Sequence, residues 1–129
     1  MNKITKNEIT AVILAGGQAS RMNGEDKGLI VFRELPLIAH VVNVVESKVS
    51  QILISANRNF EEYANFGKVI SDDLEGYQGP LAGISKALKV CSKPYLLVLP
   101  CDSPLIDAAL IDSLIEKMEI SKVDICVAH

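Results

Sequence analysis

The chain has 129 residues, 49% of them hydrophobic and 22% charged, with a formal charge of -3 at pH 7. That length suits one domain able to bury roughly two-thirds of its unfolded surface. The near-balanced charge, with no run of Lys or Arg, argues against a nucleic-acid or membrane surface, so an anionic ligand would need a local site.

The N-terminal "MNKITKNEIT" is polar and carries no apolar leader-like core, and no apolar run reaches membrane-spanning length. Cys91, Cys101 and Cys126 lie in or beside apolar runs, without a CxxC pair, and His40 and His129 are far apart. Buried free thiols in a reducing compartment account for the cysteines better than a zinc site does. The expected location is cytoplasmic.

In chain order, the first predicted strand is "TAVILA" (10–15). "GLIVF" (28–32) reads as an extended arm beside the sheet. Leu37, Val41, Val44 and Val45 share one helical face, with Pro36 at its first position. "QILISA" (51–56) is the second strand, a short polar helix covers Phe60 to Ala64, and "KVIS" (68–71) is the third strand. Leu81, Ile84, Leu88 and Cys91 mark a helix that begins at Pro80. "PYLLVLP" (94–100) is the fourth strand. Leu110, Leu114, Ile115 and Met118 mark a last helix after Ser103 and Pro104, which fit a capping residue and first helical position. "VDICVA" (123–128) is the fifth strand. Strands that are continuously aliphatic rather than alternating suit a parallel sheet covered on both faces. The expected fold is therefore a single three-layer α/β/α, Rossmann-like domain over 1–129 with a mostly parallel sheet.

Open parallel sheets bind ligands beyond the carboxyl ends of their strands. After the first strand come Gly16, Gly17, Arg21 and Lys27. Glycines let backbone N–H groups approach a phosphate, and the two cations would neutralise it. The spacing is neither the Walker A pattern nor GxGxxG. The alternative is an ordinary tight turn with two solvated cations. After the second strand come Ser55, Asn57 and Arg58, and after the third Asp72 and Asp73, which either face a nucleoside or metal or simply solvate a loop. After the fourth come Cys101, Asp102 and Ser103. If Ser103 caps the following helix, Asp102 is free to hold a hard cation such as Mg2+; otherwise Asp102 itself caps that helix or bonds a loop. His40, on a valine-rich helix, reads as packing or surface.

The stretches "LAGGQASRMNGEDKGL", "ANR" (56–58), "DDLEGYQGPLAG" and "PCDSP" together resemble the molybdenum cofactor guanylyltransferases, also called molybdopterin-guanine dinucleotide synthases. The resemblance implies a nucleotidyltransferase fold and transfer of GMP from GTP to the phosphate of the molybdopterin cofactor, with Mg2+ and release of pyrophosphate. It implies that Leu14, Ala15, Gly16 and Gly17 meet the nucleotide through their backbone, that Lys27 binds phosphate, that Asp72 binds GTP and that Asp102 binds GTP and Mg2+. Arg21, Lys27 and Asp102 would carry the catalysis. Ser55 stands where the family often has Asn ("SANR" against "NANR") and reaches less far toward a base. The family runs past this chain's end, so a chain truncated at its C-terminus is expected, its donor half complete and its acceptor half not. Molybdoenzymes or their chaperones are implied as recipients of the product. Two other readings stay open: a relative using CTP or a sugar phosphate, and a non-catalytic nucleotide-binding fragment.

Overall fold

The computed structural model describes residues 5–15, 21–22, 25–71, 80–102, 106–121 and 125–127. Its sheet strands are β1 (Ile9–Leu14), β6 (Gln51–Ser55), β7 (Lys68–Ile70), β8 (Tyr95–Pro100) and β9 (Ile125–Val127), and they order as β7-β6-β1-β8-β9. Every pairing in this sheet is parallel. Two small antiparallel pairs stand apart from it: β2 (Arg21–Met22) with β3 (Glu25–Asp26), and β4 (Val31–Phe32) with β5 (Leu35–Pro36). The helices are α1 (Leu37–Val45), α2 (Phe60–Tyr63), α3 (Pro80–Val90) and α4 (Ala108–Ser121).

The unbroken aliphatic runs are explained by a core on each face of the sheet. Successive strand residues point to opposite sides. Ile9, Ala11 and Ile13 of β1, Ile54 of β6, and Leu97 and Leu99 of β8 pack with Ile38, Val41 and Val45 of α1 and with Ile111 and Leu114 of α4. Val12, Leu53, Leu96 and Val98 face the other way, against Ala87 and Ile84 of α3. The expected α/β/α sandwich is therefore present. Each wholly buried Ile or Val of α1 contributes about 1.5–3 kcal/mol, enough to hold a nine-residue helix that would not persist alone.

Several expectations on local structure need correction. Of "GLIVF", Gly28 and Leu29 belong to a 3-10 turn (Lys27–Leu29), and only Val31–Phe32 is strand, folded into the β4–β5 hairpin. Pro36 is the cap residue of α1, with extended backbone, not its first helical residue, because it also pairs with Val31 across the hairpin. Pro80 does begin α3. Helix α4 begins at Ala108, not after Ser103. Its cap is Asp107, whose Oδ1 accepts the Leu110 N–H at 2.8 Å. Ser103 and Pro104 lie outside the described residues. Leu88 and Leu110 are exposed. Of the predicted faces, Ile84 and Cys91 on α3 and Leu114 and Ile115 on α4 do pack on the core, while the buried positions beside the two exposed leucines are Ala87 and Ile111. Among the described residues no helix is long and apolar enough to cross a membrane.

Register is what positions the site. β1 pairs Leu14 with both Ser55 and Pro100, and β6 pairs Ser55 with Ile70, so the carboxyl ends of four strands stand level. The ladder continues one residue further on this side. The Ala15 N–H donates to the Ser55 carbonyl at 2.8 Å and the Ala56 N–H to the Ile70 carbonyl at 2.9 Å. The loops after β1 and β6 thus start from fixed points.

Candidate active site

The chain leaves β1 toward β6 and later returns on β1's other side as β8. Loops that part in this way open a crevice at the strand ends, the usual ligand position in open α/β sheets. Asp102 stands two residues beyond β8, with its side chain about one-third exposed. Lys27 reaches the same point from the first loop: its Nζ lies 3.8 Å from Asp102 Oδ2. The pair is close enough for attraction and too long for a strong hydrogen bond, which leaves both groups able to turn to other partners.

The backbone explains how Lys27 arrives there. β2 and β3 pair Arg21 opposite Asp26, the residue before Lys27, so the two predicted cations stand side by side in the chain trace. Lys27 opens the 3-10 turn, closed by the Ile30 N–H on the Lys27 carbonyl at 3.1 Å. Gly28 then presses against the end of β8. A Cβ built there would lie 3.1 Å from Cys101 Cβ, 3.2 Å from Cys101 Sγ and 3.3 Å from the Tyr63 hydroxyl.

Asp26, to which the sequence assigned no role, is a buried carboxylate directly beside Lys27. Its side chain is wholly buried. Arg58 donates to it through Nε, Asn59 Nδ2 donates to Oδ2 at 2.8 Å, and the Tyr63 hydroxyl donates to Oδ2 at 3.2 Å. A buried carboxylate needs such donors to stay charged. The only signal in the sequence was opposite charge in two distant stretches, Asp26 in "EDKGL" and Arg58 in "ANR". Arg58, grouped after the second strand as a rim residue, donates inward to Asp26. Asn59 adopts a left-handed backbone (φ 54°) as it turns into α2.

Leu14 and Ala15 end β1 at the crevice, Leu14 half-buried and Ala15 buried. Ser55 is buried at the end of β6, on the far side of β1 from Asp102, about 10 Å away at two strand spacings. Asn57 is exposed. Gly16, Gly17 and Asp72 lie outside the described residues. Cys101 is buried, and burial, with Asp102's charge adding to it, pushes its thiol up to about 12. It is a protonated packing group at neutral pH rather than a nucleophile. Burial, helped by the charge of Asp26, likewise holds the Tyr63 hydroxyl well above its ordinary range. His40 packs edge-on against Phe32 and bonds the Phe32 carbonyl, as its helix position implied.

Among the described residues no three His, Cys, Asp or Glu side chains come together. Asp102 offers one partly exposed carboxylate beside a cation. That donor set suits Mg2+, which binds through one or two carboxylates plus phosphate oxygens rather than in an all-protein cage.

The fold is an open parallel α/β/α sandwich whose strand ends bring a cation beside a carboxylate. A solved CMP:2-keto-3-deoxy-manno-octonic acid synthetase complexed with CTP superposes with a TM-score of 0.73 at 20% identity, over 91% of this chain and 49% of that one. At that identity the likeness is one of fold. The chain belongs to the MobA-like NTP transferase domain family, whose model matches residues 11–129. It is 48% identical over 122 residues to a molybdenum cofactor guanylyltransferase of Shewanella sediminis, covering 94% of this chain and 62% of that protein. It is 47% identical over 126 residues to one of Polynucleobacter asymbioticus, covering 97% of this chain and 63% of that protein. The chain thus spans under two-thirds of the length of these relatives.

Proposed function

We propose that the chain carries the donor-nucleotide site of a molybdenum cofactor guanylyltransferase, which transfers GMP from GTP to the phosphate of the molybdopterin cofactor and releases pyrophosphate. The observation that carries the reading is the meeting of Lys27 and Asp102 at the crevice between β1 and β8. The near-half identity to relatives of that name supports GTP and molybdopterin as the substrates. An oxygen of the acceptor phosphate forms a bond to the α-phosphorus of GTP as the bond from that phosphorus to the bridging oxygen breaks, and that oxygen leaves with pyrophosphate. The nucleophile is already anionic, so the protein need supply no strong base. Its task is positioning and charge neutralisation.

In this scheme Lys27 and Arg21 draw in the β- and γ-phosphates and stabilise the charge that accumulates on them. Gly16 and Gly17 offer backbone N–H groups to the same oxygens, Leu14 and Ala15 form the floor beneath them, and Ser55 and Asp72 serve the nucleoside. Asp102 would hold Mg2+, whose chemistry is to neutralise phosphate oxygens and polarise the α-phosphorus. The free thiols of Cys91 and Cys101 suit the reducing cytoplasm. Molybdoenzymes or their chaperones are the proposed recipients of the product.

Calorimetric titration with GTP, CTP and ATP in Mg2+ tests the reading. GTP should bind selectively. Asp102→Ala and Lys27→Ala should each weaken it by about 10²-fold, in line with loss of a charged phosphate contact. Their melting temperature should scarcely move, because an ion pair one-third exposed is worth about 0–1 kcal/mol. Equal binding of all three nucleotides, or full affinity in both variants, would refute the assignment.

A further inference from the structure

Asp26 lies immediately before Lys27 and is turned the opposite way. Its carboxylate is buried and takes donors from Arg58, Asn59 and Tyr63. All three belong to the segment that follows β6 and runs into α2. That same segment begins at Ser55 and Ala56, fixed to the rim of the sheet by the bonds to Ala15 and Ile70. A chain of short contacts therefore runs from the end of β6, through residues 58–63, into Asp26 and on to Lys27. Gly28 closes the arrangement from the other side by packing on Cys101 and the Tyr63 hydroxyl. Lys27 is flanked on both sides by residues that cannot move without disturbing a buried contact.

We infer that Asp26 is a positioning residue: it locks the Lys27 turn to the segment after β6, fixing the distance between the nucleoside end of the donor site and its phosphate end. The functional consequence rests on the donor-site reading above. Ser55 and Asp102 are two strands apart, about 10 Å, and Lys27 belongs to neither strand. The turn bond and the Gly28 packing hold Lys27 from one side, and the Asp26 carboxylate ties it from the other to the segment after β6. A charged carboxylate suits this task better than packing would, since three directional bonds define an orientation and an apolar contact does not.

The test is a double-mutant cycle between Asp26→Asn and Lys27→Ala, read by GTP affinity in Mg2+ well below the melting transition. Asp26→Asn keeps the side chain's shape and removes its charge. Alone, it should weaken GTP by tenfold or more. In the Lys27→Ala background it should weaken GTP by less than twofold, because the group it positions is gone. Losses that multiply would show a merely structural role and overturn the inference. Tyr63→Phe removes one of the three donors and keeps the ring. It should show a smaller loss with the same dependence on Lys27, and it serves if Asp26→Asn does not fold.

A ligand-free readout separates this inference from the functional one. The 13C signal of reductively methylated Lys27, assigned by its loss in Lys27→Arg, should shift in Asp102→Asn, and in Asp26→Asn or Tyr63→Phe it should move in the same sense. If the unaltered chain binds no nucleotide, the donor-site reading falls, and this signal alone decides: a shift upholds the positioning role and an unmoved signal refutes it.

Discussion

Gly28→Ala is the smallest change that tests the packing behind Lys27. The added methyl would meet Cys101 Cβ at 3.1 Å, Cys101 Sγ at 3.2 Å and the Tyr63 hydroxyl at 3.3 Å. Contacts of that length are repulsive, since carbon atoms prefer about 3.5–4.0 Å. Relief requires a neighbour to move. Cys101 and Tyr63 are both essentially inaccessible, and the Tyr63 hydroxyl is bonded to Asp26. Overpacking of a tight site typically costs about 1–3 kcal/mol. Against it stands the gain of about 0.4–1 kcal/mol that any Gly→Ala change brings by restricting the unfolded chain.

The net runs from near zero to a loss of about 2.6 kcal/mol, a fall of up to about 10 °C in the melting midpoint for a domain of this size. Thermal unfolding followed by circular dichroism reads it. GTP affinity should fall as well, because the turn that yields carries Lys27 away from Asp102. Removing Sγ as well, in Gly28→Ala with Cys101→Ala, should return part of the loss, and the two changes should therefore not add. A rise in the midpoint, with nucleotide binding intact, would mean that the site has room and would refute the close-packing argument.

Two further outcomes follow from other places in the fold. Arg33 and Glu34 form the two-residue turn between β4 and β5, and both have positive φ, 52° and 71°, a conformation suited to Gly or Asn. Glu34→Gly should stabilise the domain by about 0.5–1 kcal/mol in urea unfolding. Arg33→Gly should give less, since it also removes the guanidinium lying 5.0 Å from the Phe32 ring centre. The Cys101 thiol is raised in the fold from its ordinary 9.0 to about 12. Between those values the unfolded chain has lost a proton that the fold retains, so the stabilising contribution is complete below pH 9 and is lost as the pH rises toward 12. Urea unfolding from pH 9 upward should show stability falling, and Cys101→Ala should flatten the slope without abolishing it, because Tyr63 contributes in the same sense at higher pH.

The strands were legible because their signal is local. A run such as "AVIL" or "LLVL" is apolar at every position, and only burial on both faces explains that. The strand ends followed, and with them Lys27 and Asp102, since ligands of parallel sheets gather there. What misled was the reading of boundaries and faces. Proline is common at a helix's first position, yet Pro36 is held by the hairpin and Pro104 precedes α4 by four residues. The predicted stripes hold at Ile84, Cys91, Leu114 and Ile115, but Leu88 and Leu110 fall at their exposed edge while the neighbouring Ala87 and Ile111 are buried, and only the position of the sheet decides where that edge lies. Asp26 was hidden for a different reason. An acidic residue in a loop reads as solvated, and nothing within its own segment announces that Arg58, Asn59 and Tyr63, more than thirty positions on, will surround it.

Asp26, Lys27 and Gly28 illustrate how much a three-residue stretch can carry when its backbone changes conformation. Asp26 is extended, and Lys27 opens a 3-10 turn. A 3-10 turn advances three residues per turn, so consecutive side chains diverge by about 120°. A regular strand would have turned Asp26 and Gly28 to one face and Lys27 to the other. Here Asp26 points into the buried donors after β6, Lys27 points to Asp102, and Gly28 lies against Cys101. The turn therefore does more than end a strand pair. It lets neighbouring residues serve as buried anchor, partner of Asp102 and contact surface at once, so their order in the chain matters as much as their chemistry: exchanging Asp26 with Lys27 would bury an ammonium among donors and set a carboxylate beside Asp102, with composition and net charge unchanged.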